Sequence, residues 1–464
     1  MFASRTYEDR RSRLRALLRD IHGLLLFMGN EESPMNYAAN VYAYRQDSTF
    51  LYFLGVDQPG CAGVMDLEAG TTTLFADDLS LDAIVWMGPQ PSVAEHASRA
   101  GITDTAPAGR LADVLQRART QGRPVHFLPP YRPENSVRLL DLLGIAPAGQ
   151  AARASLHFIR AVVALRVHKS DEEVAEIEKA VATTVRMHLA GMRLARPGLK
   201  ESDVAARVTE IALAAGGRLS FPVIATVRGE TLHNSFHGNT LESGQVFLLD
   251  AGAEAPSRYA GDLTSTFPVD PAFTSRQRDV YDIVLGAHLA AVDALKPGVR
   301  FRDVHRLACR TLAEGLKGLG LMKGDLDEAV AVGAHAMFFQ CGLGHMMGLD
   351  VHDMEDLGEV WVGHEGQPKS TQFGLKSLRL ARPLEPGFVF TVEPGLYFIP
   401  ELMDRWQAEG KFLEFIDYEK LQGYRTFGGV RLEEDFLMTP AGARLLGPRK
   451  PRTADEVEAV RGGG

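Results

Sequence analysis

Cysteine is scarce in this chain. Its 464 residues hold three, Cys61, Cys309 and Cys341, an odd and widely spaced set. That excludes a disulfide framework and a four-cysteine structural zinc site. Long apolar runs are also missing, and a stretch such as Gly23 to Met28 is far too short to span a bilayer. No basic stripe is present, and the formal charge is −9, so nucleic-acid binding is not expected. The arginine-rich start, with Arg10, Arg11, Arg13 and Arg15, is read as one solvated helix face. It lacks the apolar core of a secretory signal, so a cytoplasmic protein without a membrane partner is expected. Apolar residues at 45% and charged residues at 23% are the proportions of a soluble globular protein.

The length calls for more than one domain. Up to about residue 160, short strand-like runs alternate with helical ones. Gly23 to Met28, Phe50 to Leu54, Gly63 to Asp66 and Thr71 to Phe75 read as strands. Leu111 to Ala118 reads as a helix, Val125 to Leu128 as a strand, and Ala151 to His168 as a mostly helical connector. The expected division is an α/β domain over 1–160, a second domain over 161–450, and a tail over 451–464. At the boundary, Ser170 and Glu173 form a capping box ahead of the apolar stripe Val174, Ile177, Val181 and Val185.

Two parts of the second domain repeat. Leu241-Glu242-Ser243-Gly244-Gln245-Val246-Phe247-Leu248-Leu249-Asp250-Ala251-Gly252 aligns without a gap on Leu384-Glu385-Pro386-Gly387-Phe388-Val389-Phe390-Thr391-Val392-Glu393-Pro394-Gly395. Each copy is a Gly turn, an apolar strand, an acid and a break. Upstream, His188-Leu189-Ala190, Pro197-Gly198 and Asp203-Val204 return one hundred positions later as His288-Leu289-Ala290, Pro297-Gly298 and Asp303-Val304. The duplication implies an internal pseudo-two-fold; His188 and His288 are read as structural. An acid at the inner end of an apolar strand is unfavourable without a cation or a hydrogen-bond partner. Two such acids suggest half-sites around one cation-filled centre.

Asp250, Asp262, His345, Glu393 and Glu433 are the candidate metal set. Asp262 lies in a polar stretch placed to return antiparallel beside the strand ending at Asp250, and Glu433 stands in the same relation to Glu393. Gly342-Leu343-Gly344-His345 supplies small residues for close backbone approach. Four carboxylates and one imidazole exceed the needs of one ion and suit two hard or borderline divalent ions.

The order Asp250, Asp262, Gly342-Leu343-Gly344-His345, Thr391-Val392-Glu393-Pro394-Gly395 and Val430-Arg431-Leu432-Glu433-Glu434-Asp435 resembles the proline-specific metallopeptidases of the pita-bread fold, aminopeptidase P and prolidase. Tyr44 to Phe50 and Gly55 to Cys61 look like the prolidase N-terminal domain, and Gly374 to Arg382 looks like prolidase more than aminopeptidase P. The implied fold is an α/β N-terminal domain plus an α+β pita-bread catalytic domain, and a homodimer is implied with it.

By that resemblance Asp250 and Asp262 share one ion, and Asp262, His345, Glu393 and Glu433 hold the other, with manganese ahead of cobalt or zinc. Water between two cations is a nucleophile at neutral pH. The same resemblance makes Glu393 the proton shuttle and His352 an oxyanion stabiliser. It gives His233 a substrate contact, Tyr397 a place lining the site, and Arg431 the orientation of a carboxylate ligand. Arg379 would grip the free carboxylate of a C-terminal proline. The implied reaction is hydrolysis of Xaa-Pro dipeptides. Xaa-Pro aminopeptidase action on longer peptides, or a carboxypeptidase reading the C-terminus through Arg379, are the alternatives; a catalytically silent peptide-binding module is the reading from another class. Two departures stand out. Cys341 occupies a position four before His345 where these enzymes carry histidine, which bears on substrate contact there. The spacing from Asp250 to Asp262 is also one residue longer than usual.

Overall fold

The computed structural model describes residues 2–463. Backbone contacts divide the chain into two compact units. One runs to Arg166 and includes Met354–Trp361; the other begins at Val167 and resumes at Val362 after the interruption. Among the described residues no helix is long and apolar enough to cross a membrane.

The first unit is built on a five-stranded sheet in the order Asp104–Ala106, Thr72–Phe75, Ala62–Asp66, Leu24–Met28, Val125–Phe127. The three central strands are antiparallel and each outer strand runs parallel to its neighbour. Leu24 and Leu26 join Leu115 and Leu139 of two covering helices in one core. Phe27, on the other face, meets Phe53 and Phe158 with ring centroids 5.6 and 5.2 Å away. Cover on both faces explains the unbroken apolar run of this strand.

Two expectations are corrected in this unit. Phe50 to Leu54 is not a strand but the body of helix Ser48–Leu54. Asp47 caps it by accepting the Phe50 N–H at 2.7 Å, and Gly55 closes it at φ 63°. A helix buried all round has no polar face, so its short apolar run mimics a strand. The N-terminal arginines do not form one solvated face either. Arg10 and Arg11, on helix Ser4–Leu17, are buried and donate to the carbonyls of Tyr52 and Phe53 at 3.1 and 3.0 Å. They satisfy the orphan carbonyls at the end of that buried helix. The connector is broken at Ala154-Ser155 into helices Pro147–Arg153 and Leu156–Arg166.

The second unit realises the repeat. Helices Asp171–Leu194 and Glu201–Ala214 correspond to Ser275–Asp293 and Phe301–Gly318. Gly198 and Gly298, at φ 89° and 85°, make the turns between them. Each turn is stitched to its strand copy: Gly198 N–H donates to the Leu241 carbonyl at 2.9 Å, and Gly298 N–H to the Leu384 carbonyl at 2.7 Å. Strand Val246–Ala251 pairs with Leu263–Pro268, placing Asp250 opposite Thr264. Strand Val389–Val392 pairs with Glu434–Thr439, placing Val392 opposite Glu434. An isolated bridge between Thr264 and Glu433 joins the two halves. Between Asp250 and Asp262 the chain makes a tight turn where Arg258 adopts φ 75° and Ala255 N–H donates to the Tyr259 carbonyl. The stretch expected as a tail carries helix Ala454–Gly462, whose Val457 is buried in the core.

Candidate active site

The strand pairing brings the four acids and His345 to one place. Asp250 sits in a fully buried strand, Asp262 just before the strand that returns, and Glu433 between the strands Gly429–Arg431 and Glu434–Thr439. His345 Nε2 lies 3.4 Å from Asp262 Oδ2, 3.6 Å from Glu393 Oε1 and 4.0 Å from Glu433 Oε1. The close approach needs glycine: a Cβ on Gly344 would lie 2.1 Å from the Thr391 carbonyl oxygen.

The imidazole is set by its other nitrogen. His345 Nδ1 is 3.1 Å from the Met346 carbonyl. A carbonyl only accepts, so Nδ1 carries the proton and the Nε2 lone pair faces the carboxylates. Thr391 steadies the backbone, its hydroxyl accepting the His345 N–H at 3.2 Å.

The carboxylates are held by a buried network. Arg431 donates through Nη2 to Asp250 Oδ2 at 2.5 Å, through Nε to Thr264 Oγ1 at 3.0 Å and through Nη1 to the Tyr397 hydroxyl at 2.9 Å. Thr264 in turn donates to Glu433 Oε2 at 2.7 Å. Asp435 accepts the Asp262 N–H at 3.1 Å. Oδ1 of Asp250 and Oδ1 of Asp262 are buried without a partner.

Electrostatics point the same way. Burial, then Asp250, Asp435 and Glu393, pushes the Asp262 carboxyl well above its ordinary range. Burial, then Asp262 and Glu393, does the same to Glu433. Burial also raises Glu393, although His345 and Arg431 pull it down. Carboxylates packed this way need a cation. Asp262, His345 and Glu433 each offer a ligand atom, all within 4.8 Å of one another. Oxygen donors with one imidazole, plus orphaned carboxylate oxygens, fit divalent ions of the hard or borderline kind.

These groups open on a cavity of about 430 Å³ lined also by His233, Cys341, His352, Arg379 and Arg431. The His352 ring stands edge-on to that of His345, centroids 4.3 Å apart. Burial, then the positive Arg431, lowers the His233 pKa, favouring the neutral imidazole. Tyr397 does not line the cavity: its ring is buried in the core, and its hydroxyl meets Arg431 and the Cys341 thiol, 3.8 Å away, from behind. Burial, then the Glu393 charge, pushes the Cys341 thiol up to about 12, so it stays neutral at pH 7.

Sequence reasoning missed Thr264, Thr391 and Asp435. Each lies two residues from a chosen acid, Thr264 after Asp262, Thr391 before Glu393 and Asp435 after Glu433, a strand period that could have drawn attention to them. It also missed the apolar wall of Phe221, Pro222, Val223, Ile224 and Leu232, which carries no chemical signature of its own.

The profile of Metallopeptidase family M24 matches residues 175–440, and that of the Aminopeptidase P N-terminal domain matches residues 7–126. The Xaa-Pro dipeptidase of Homo sapiens is 34% identical over 461 residues, covering 95% of this chain and 89% of that protein. A probable Xaa-Pro aminopeptidase of Talaromyces stipitatus is 31% identical, with 95% and 88% covered. Among solved structures, proline aminopeptidase P II from Yersinia pestis superposes with a TM-score of 0.82 at 27% identity, all of both chains covered. Zinc-substituted Escherichia coli aminopeptidase P in complex with product gives 0.79 at 27%, covering 100% of this chain and 99% of that one.

Proposed function

This chain belongs to Metallopeptidase family M24, and from that premise we propose that it hydrolyses Xaa-Pro dipeptides using two divalent ions, manganese foremost. Asp250 and Asp262 hold one ion; Asp262, His345, Glu393 and Glu433 hold the other. Bound there, the ions supply Lewis acidity and bring the ionisation of water into the neutral range.

The chain's own groups do the rest. Glu393 moves the proton: its side chain is 18% exposed, against 11% for Asp250, 6% for Asp262 and 3% for Glu433. Burial raises the Glu393 carboxyl, which favours proton uptake there. His352 and the neutral His233 donate to the substrate carbonyl and backbone. The wall of Phe221, Pro222, Val223, Ile224 and Leu232 suits a proline ring, and an Xaa-Pro bond has no N–H to leave unpaired against it.

Arg379 is the observation that carries the dipeptide assignment. It lines the same cavity as the carboxylate cluster. An arginine there pairs with a free carboxylate one residue beyond the cut. The 34% identity to a dipeptidase over 95% of the chain supports the same choice. The two profile matches and the contact boundary at Arg166 support a division into an N-terminal and a catalytic domain.

The test is product analysis by mass spectrometry on Ala-Pro, Ala-Pro-Ala and a longer peptide without proline, with manganese added. Cleavage of Ala-Pro alone supports the proposal. Cleavage of the longer peptides with Ala-Pro untouched overturns it and favours the aminopeptidase reading, which the aminopeptidase P structures make the second choice.

A further inference from the structure

A second cluster of ligand-type side chains lies in the core of the catalytic unit, apart from the carboxylates. His305 and Cys309 stand one turn apart on helix Phe301–Gly318. His335 sits on the 3-10 turn Ala334–Met337, which follows the left-handed Gly333. One potential ligand atom from each lies within 4.8 Å of the other two, and all three residues are buried. His305 Nε2 is 3.5 Å from Cys309 Sγ.

The histidines are poorly satisfied by protein. His305 Nδ1 and both ring nitrogens of His335 are buried without a hydrogen-bond partner. Cys309, Ala334, Ala336 and Phe339 belong to the apolar core, and the His305 ring meets that of Phe339 with centroids 5.6 Å apart. Burial holds both rings neutral, lowering His305 to about 3 and His335 to about 4. Neutral imidazole is the form that ligates a metal.

We propose that His305, Cys309 and His335 form a metal site for a thiophilic d10 cation, separate from the carboxylate centre. Two imidazoles and a thiol are soft or borderline donors, unlike the oxygen-rich set around Asp262. Binding releases the Cys309 proton to solvent and leaves a thiolate. The charged neighbour acting on His305 and Cys309 is Arg306; among the described residues no carboxylate acts on the three. A single positive charge balanced by one thiolate leaves a neutral site in an apolar core, which places Cu+ ahead of Zn2+.

The experiment adds Co2+, as a spectroscopic stand-in, to the full chain already loaded with manganese. The expected result is a thiolate-to-cobalt charge-transfer absorption in the near ultraviolet, abolished in C309A and kept in C341A. Either Cu+ or Zn2+ should then displace the cobalt and bleach the band, Cu+ at the lower free concentration. No band in the wild type, a band lost in C341A but kept in C309A, or failure of both ions to displace cobalt overturns the site. Should C309A fail to fold, H335N replaces it: loss or weakening of the band supports the site, and an unchanged band and affinity overturns it.

Discussion

Arg431 contacts Asp250 directly and reaches Glu433 through Thr264. One buried guanidinium thereby orients a carboxylate from each half of the repeat. Arg431→Lys keeps the charge and loses the fork that makes both contacts. We expect manganese affinity to fall by about 10- to 100-fold, read by titration of metal-free protein, with the loss in activity restored in part by excess metal.

Asp262 carries two opposing consequences. Burial and its acidic neighbours push its carboxyl up, so without metal it destabilises the fold. Asp262→Asn should raise the stability of the chelator-treated protein by about 1–2 kcal/mol. The same variant should lose the thermal stabilisation that manganese gives the wild type. Thermal unfolding of both proteins, with chelator and with manganese, checks the pair of signs.

Arg379→Ala should separate substrate classes. Loss of a charge-assisted pair corresponds to about 1.5–3 kcal/mol, or about 10- to 100-fold in kcat/KM. The loss should fall on Ala-Pro and largely spare a peptide amide, where no carboxylate is presented. Steady-state rates on the two substrates decide it.

His188 sits in the core, its ring bonded to Ser265 Oγ and the Ala251 carbonyl. Burial first, then Lys450, lowers its pKa from 6.5 to about 3. A depressed pKa means stability that is full above the unfolded value and lost as pH falls through the window from 6.5 toward 3. His188→Gln should remove up to about 1.4 kcal/mol per pH unit from that slope. Urea unfolding at a series of pH values within the window reads it.

Thiol chemistry is a further check. Burial raises Cys61 to about 12, raises Cys341 to the same value together with the Glu393 charge, and pushes Cys309 higher still. Native protein should react slowly with a disulfide reagent at mildly alkaline pH, and all three thiols promptly in denaturant. Fast reaction of Cys341 in the folded protein would contradict the description of its surroundings.

Much of the site was legible because its chemistry is local. Asp250 and Glu393 share a repeated frame of turn, strand and acid; Asp250 is paired within its strand and Glu393 directly follows the paired strand Val389–Val392. The capping box at Ser170 and the apolar stripe behind it also appear as read. What was not legible depended on contacts distant in sequence. Arg10 and Arg11 are buried because they meet carbonyls 42 residues away. Phe50 to Leu54 is helical because Asp47 and Gly55 bracket it, and burial on every side erased its periodicity. Tyr397 points its hydroxyl to the site from behind the wall, a direction that spacing alone does not fix.

The most direct test of the account couples metal content to turnover. Metal-free protein is titrated with Mn2+ while bound metal and Ala-Pro hydrolysis are followed together, alongside Asp262→Asn. The account predicts no hydrolysis without metal, activity that rises to a plateau as the second equivalent binds, and none in the variant. Full turnover by metal-free protein, or by Asp262→Asn, would contradict it.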